Sequence, residues 1–203
     1  MGQDRWKYRK LLRSRYGRKI WIVARGSGEK GYFKFPLSSR HNDYRILVAN
    51  EYIAAELARL VGLPAAPVKG LRLKGPGGRH QRGIVSVSAN AKEVVPWKKA
   101  WPEVHQFPEQ HIEQAERLAR LVVFDGWILN PDRTNRNLIL YRNHAGERFR
   151  WYMIDHSLAL FGVPKKYLYG SERKYVLRVL KARQQKLPYI VEQIMAQLHH
   201  KKR

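Results

Sequence analysis

Residues 130–155 constrain this chain more than any other stretch. Just before them, Glu109 to Leu129 places Ile112, Ala115, Leu118, Ala119, Val122 and Leu129 on one stripe, a spacing that predicts a helix. Pro131 bounds it through its steric effect on the residue before. A polar loop follows, Asn130-Pro131-Asp132-Arg133-Thr134-Asn135-Arg136-Asn137. Leu138 to Tyr141 and Phe149 to Ile154 then read as short strands, joined by Asn143-His144-Ala145-Gly146. A hairpin returns the chain to its start, so Asn137 and Asp155 should emerge close together, with Asp132 across the loop. Three oxygen-bearing side chains then converge without any His or Cys. Hard oxygen donors suit Mg²⁺, which keeps waters and completes its shell from phosphates. Singly, each residue also has a plain structural reading: a turn Asp after Pro131, a loop-to-strand Asn, a strand-end Asp.

Upstream, Ile20-Trp21-Ile22-Val23-Ala24 and Tyr32-Phe33-Lys34-Phe35 predict a β-hairpin about the turn Gly26 to Gly31. By alternation alone Lys34 is an outward lysine. Ile46 to Val61 predicts a helix, with Ile53, Leu57, Leu60 and Val61 on one apolar face and Gly62 and Pro64 stopping it. Glu51 projects among Ala54, Ala55 and Ala58, out of place there unless a cation meets it or the helix N-terminus stabilises it. Leu71 to Lys74 and Gly83 to Val87 form a second hairpin, and Ser88-Ala89-Asn90 connects onward. These divide the chain into lobes at 1–88 and 89–203. Residues 91–108 read as irregular, with Pro96, Pro102 and Pro108, and Lys165 to Arg203 as mostly helical.

Lys and Arg number 40 against 16 Asp and Glu, a net charge of +24 that favours phosphate-bearing or polyanionic partners. Eight of the fifteen residues from Arg5 to Lys19 are basic, with Trp6, Tyr8 and Tyr16 among them. This segment reads either as a nucleic-acid-binding arm or as a solvated face with aromatic anchors to the core. The lack of cysteine excludes disulfides, cysteine zinc sites and thiol catalysis. The scattered histidines have no metal-site spacing, and the six Trp suit the core better than a stacking platform. Arg133 and Arg136 would meet acceptor charges or solvent, and Asp125 reads as a partly buried structural carboxylate near the loop. No apolar run reaches the ~18 residues of a membrane span, and no signal-peptide core follows the basic start. A cytoplasmic location is the expectation.

The order of these parts resembles the kinase catalytic apparatus: a strand Lys, a helix Glu, a loop Asp, an Asn five residues on, and a second Asp after a hairpin. In that arrangement Lys34 contacts the α/β-phosphates, Glu51 fixes it by an ion pair, Asp132 orients and deprotonates the acceptor hydroxyl, and Asn137 and Asp155 hold Mg. More narrowly, Asn130 to Asn137, Ile154-Asp155-His156-Ser157-Leu158-Ala159, and Asn50 to Ala58 running into Gly62-Leu63-Pro64 resemble the HipA-like kinases over roughly residues 16–161. The resemblance implies an α+β, two-lobed protein-kinase-like fold with a small β-rich first lobe bearing one helix and a mostly helical second lobe. It implies ATP in the cleft and phosphorylation of protein Ser/Thr; the net charge, rather than the resemblance, favours an acidic or nucleic-acid-associated acceptor. Three departures stand out: Thr134 where the family often has His, one glycine, Gly17, in the place of the phosphate-cradling loop, and Ser157 for the Gly of the metal-binding triplet. The other reading is a kinase-like scaffold of weak or no activity that docks nucleic acid or a ribonucleoprotein.

Overall fold

The computed structural model describes residues 5–13, 19–35 and 43–160. Gly17 and the segment from Lys165 onward lie outside the described residues. The aromatic and β-branched runs form a five-stranded antiparallel sheet of β1 (Lys7–Arg13), β2 (Lys19–Ala24), β3 (Lys30–Phe35), β4 (Val68–Lys74) and β5 (His80–Val87), ordered β1-β2-β3-β5-β4. Alternation puts Trp21, Val23, Phe33, Phe35, Leu73, Val85 and Val87 on one face, where Trp6 joins them in a buried aromatic cluster. Each such side chain contributes roughly 1.5–3 kcal/mol by leaving water. The two outer strands, β1 and β4, come into contact, so the sheet curls around this cluster. Two glycines permit the close packing: a Cβ at Gly75 would run into the Trp21 ring, and one at Gly83 into the Lys34 carbonyl.

The basic segment is extended at Lys7–Arg13, paired along β2, with Trp6 buried and the Tyr8 ring edge-on to Trp21 at 5.3 Å. Its rings are therefore anchors to the core. Lys7, Arg9 and Lys10 remain exposed on the edge strand.

The helix α1 (Asp43–Leu60) forms as expected but presents the opposite face. Ile53, Leu60 and Val61 are exposed, whereas Asn50, Glu51, Ala54, Ala55 and Ala58 are buried. Side chains that end at Cβ let one helix approach two neighbours closely. Ala55 meets Val68 and Ile84 of the sheet, while Ala54 and Ala58 enter the core of the second lobe. Of the expected apolar face only Leu57 packs, partly buried, against the second-lobe core, and Ile53, Leu60 and Val61 are left to solvent.

The second lobe has a three-stranded antiparallel sheet, β6 (Glu93–Pro96), β7 (Leu138–Arg142) and β8 (Arg150–Met153), in that order. β6 lies in the stretch expected to be irregular, and its four residues ending in proline are too short to show alternation. Helices α2 (Pro102–Gln106), α3 (Pro108–His111) and α4 (Arg117–Trp127) follow around it. The expected helix at Glu109 to Leu129 is thus broken. Ile112, fully buried, bridges to Phe149, and Gln114 turns the chain at φ 55°. Counting the apolar stripe across that break puts it out of phase. The buried positions of α4 are Leu121, Phe124 and Asp125, with Ile128 just beyond, while Val122 and Leu129 are exposed. α4 ends through bonds from Leu129 N to the Gly126 carbonyl and from Asn130 N to the Asp125 carbonyl, with Leu129 itself left-handed at φ 49°.

Candidate active site

Lys34 lies on β3 opposite Ile20 and Ile84, on the face away from the aromatic cluster. It does not point to solvent. Its Nζ donates to Glu51 Oε2 at 2.9 Å and to Asp155 Oδ1 at 3.0 Å. Residues 17 and 121 positions away in sequence thus meet on one ammonium. The small-residue face of α1 aims Glu51 here, and the β7–β8 hairpin delivers Asp155. Burial works against the Lys34 charge, but the Glu51 and Asp155 carboxylates outweigh it and hold its pKa above the ordinary lysine value. Burial likewise opposes the Glu51 charge, yet the Lys34 ammonium keeps that carboxyl well below its usual range. Asp155 is lowered too, with burial and Glu51 opposing, Lys34 favouring, and a 2.8 Å bond from Ser157 Oγ to Oδ1 assisting.

Glu51 has a second attachment. The backbone N–H groups of Asp155 and His156 donate to its Oε1 and Oε2 at 3.1 and 2.9 Å. Beside it, Asn50 Nδ2 donates to the Ser157 carbonyl at 3.0 Å. Consecutive polar residues of α1 therefore grip the segment 155–157, and Asp155 holds a left-handed φ of 58° within that grip. His156 is buried, with its Nδ1 3.9 Å from Glu51 Oε1, too far for a hydrogen bond.

The loop after α4 is braced from below. Asp125 accepts from Arg133 Nε and Nη2 at 2.8 and 3.1 Å and from Asn130 Nδ2 at 2.9 Å. The Arg133 Nη1 donates to the Asn137 and Ile154 carbonyls at 3.2 and 2.9 Å. Arg133 is thus neither a solvent-facing nor an acceptor-facing group: it ties the loop to the strand end that carries Asp155. Ile154 N donates to the Asn137 carbonyl at 3.0 Å, which places the Asn137 and Asp155 backbones side by side. Asn137 Nδ2 donates to the Asp132 carbonyl at 2.8 Å, leaving the amide oxygen as the end available to a cation. The Asp132 side chain is half-buried and no described residue bonds its carboxylate.

Among the described residues no three His, Cys, Asp or Glu side chains cluster as a metal site. Asn137 and Asp155 come from adjacent stretches of backbone, and one carboxylate with one amide oxygen is a donor set that would fit Mg²⁺ only when phosphates supply further oxygens. Among the described residues no helix is long and apolar enough to cross a membrane.

Three contributors were not singled out for site roles in the sequence: Asn50, His156 and the bracing action of Arg133. Asn50 had one signal, a polar residue beside Glu51 leading into a run of alanines. His156 had none beyond its place between Asp155 and Ser157.

Residues 25–165 match the family model described as HipA-like kinase. No curated protein matches the chain. Among solved structures, the proinflammatory kinase CtkA of Helicobacter pylori is similar at a TM-score of 0.53 and 16% identity, over 80% of this chain and 62% of that one. A Rio2 kinase from Chaetomium thermophilum, solved as an ADP/Mg²⁺-phosphoaspartate complex, aligns with a TM-score of 0.46 and 13% identity, over 87% of this chain and 53% of that one. The chain therefore spans less than two thirds of the length of either. The two-lobed α+β architecture, a β-rich first lobe bearing one helix and a more helical second lobe, is a protein-kinase-like fold.

Proposed function

Since the chain belongs to the HipA-like kinase family, we propose that it is an ATP- and Mg²⁺-dependent phosphotransferase acting on protein Ser/Thr hydroxyls. The observation that carries the proposal is the pair of hydrogen bonds that Lys34 donates, one to Glu51 and one to Asp155. A structural lysine needs one carboxylate; a second one on the same ammonium, at the mouth of a loop bearing Asp132 and Asn137, suits a place where phosphate charge is exchanged. Lys34 turns to the α/β-phosphates of bound ATP and Glu51 keeps it in position. Asp132 accepts the acceptor's hydroxyl proton as that oxygen attacks the γ-phosphorus, and the bond to the bridging oxygen breaks to release ADP. Asn137 and Asp155 would hold Mg²⁺, which when bound neutralises charge on the phosphoryl oxygens. The lobes divide at 88/89, and Gly17 would contribute to nucleotide binding.

The test is transfer from radiolabelled ATP to a Ser/Thr peptide library, with and without Mg²⁺. Asp132→Ala and Asp155→Asn are expected to lower the rate at least about 100-fold while leaving the fold intact by circular dichroism. A wild-type chain that binds no nucleotide defeats the reading. Unchanged rates in both variants defeat the residue assignment.

The exposed Lys7, Arg9 and Lys10 on the edge strand favour a second activity, docking of nucleic acid. RNA and DNA affinity in a salt series separates a real site, retained near 0.15 M, from a merely basic surface, which loses affinity steeply.

A further inference from the structure

A hollow of about 460 Å³ lies apart from the site just described. Its lining draws on three places: the end of α1 and the chain after it (Arg59, Leu63, Pro64), the break before α4 and that helix's first residue (Gln114, Arg117), and the β7–β8 hairpin (Arg150, Trp151). Three guanidinium groups surround it and Glu113 is the one acidic lining residue. Arg59 pairs with Glu56 of its own helix, its Nη1 donating to both carboxylate oxygens at 3.1 Å, Arg117 spends one N–H on the Gly62 carbonyl at 3.3 Å, and Arg150 stacks over the Tyr141 ring at 4.8 Å from its centre. Each guanidinium keeps further N–H donors beyond these contacts, and cations around a concavity with exposed apolar residues beside it recognise a ligand that is both anionic and apolar. Next to the rim, Leu60 and Val61 are exposed, Leu60 at 81%. A nucleic-acid strand asks for an extended basic track; here the cations ring a concavity.

We infer that this hollow is a docking site for an acidic peptide segment of a partner protein, its carboxylates on Arg59, Arg117 and Arg150 and an apolar side chain against the exposed Leu60 and Val61 beside the rim. The elements that build it also present the catalytic carboxylates. Arg59 stands eight residues after Glu51 on α1, about 12 Å along the axis, and β8 begins at Arg150 and leads to Asp155. A peptide seated here braces α1 against the hairpin. The inference does not depend on phosphoryl transfer, because binding is read without nucleotide.

The probe is a fluorescein-labelled heptapeptide of glutamate with two leucines, measured by anisotropy at about 0.15 M salt, beside the same peptide with glutamine for glutamate. Arg59→Glu with Arg150→Glu should weaken binding at least about tenfold. Arg72→Glu with Arg82→Glu, an equal charge change at a facing pair on β4 and β5, should change it less than about twofold. Equal weakening by both pairs, or equal binding of the glutamine peptide, overturns the inference, as does an oligonucleotide of equal charge whose binding shows the same dependence on Arg59 and Arg150. If the double variant melts early, Arg59→Glu alone, at an exposed side chain, must still weaken binding about threefold; no change overturns the inference.

Discussion

Lys34, Glu51 and Asp155 are a buried charge cluster whose members depend on one another, and the dependence has a definite sign with pH. Glu51 and Asp155 are depressed in the folded state, so near pH 3–4 the unfolded chain binds more protons and stability rises with pH. Their contribution is complete above about pH 5 and fades as pH falls toward the lowered folded values. At the alkaline end Lys34 contributes until pH passes its raised folded value, above the ordinary ~10.4. Urea melts from about pH 3 to 6 should show a steeper acid loss in wild type than in Glu51→Gln; parallel slopes would refute the assignment. Arg133 carries a comparable load through Asp125 and two strand-end carbonyls. Arg133→Ala should cost about 3 kcal/mol, since it strands a buried carboxylate. That is a fall in melting temperature of roughly 6–12 °C for a domain of this size. A change under about 1 kcal/mol would mean that solvent takes over the role of Arg133.

At the scale of elements, the legible parts were those fixed by local chemistry. The hairpin about Gly28 and the strands at 138–141 and 149–154 read correctly, because turn residues and alternation act over a few positions, and the cation expected to meet Glu51 is Lys34, which also holds Asp155. Phase was the part that failed. Ile53, Leu60 and Val61 have the hydrophobicity to face a core, but α1 is wedged between two partners that Ala54, Ala55 and Ala58 approach most closely, with Val48 and Leu57 at their edges. The apolar stripe from Ile112 to Leu129 was counted through a break, since neither Gln114 nor its neighbours signals a left-handed turn. Melting curves can check this directly. Ala58→Leu should destabilise by about 1–3 kcal/mol through overpacking. Leu60→Ala should stay within about 0.5 kcal/mol, although by sequence pattern Leu60 is the apolar residue. The reverse ranking would restore the face expected from periodicity.

For the whole molecule, the net charge of +24 sets long-range behaviour and leaves the fold to the apolar clusters. Those clusters are unequal partners. The second-lobe core takes in Ala54 and Ala58, whereas the sheet meets α1 through Ala55 against Val68 and Ile84. Glu51 and Asn50 add buried bonds to the segment 155–157. Hydrogen exchange should therefore find the Asp155 and His156 amides slow although they lie outside any strand, and fast in Glu51→Ala. Fast exchange in wild type would contradict the grip of Glu51. With Glu51 bonded at once to Lys34 of the curled sheet and to the backbone of 155–157, the crevice cannot widen without breaking one of these attachments, so α1 is the joint between the lobes.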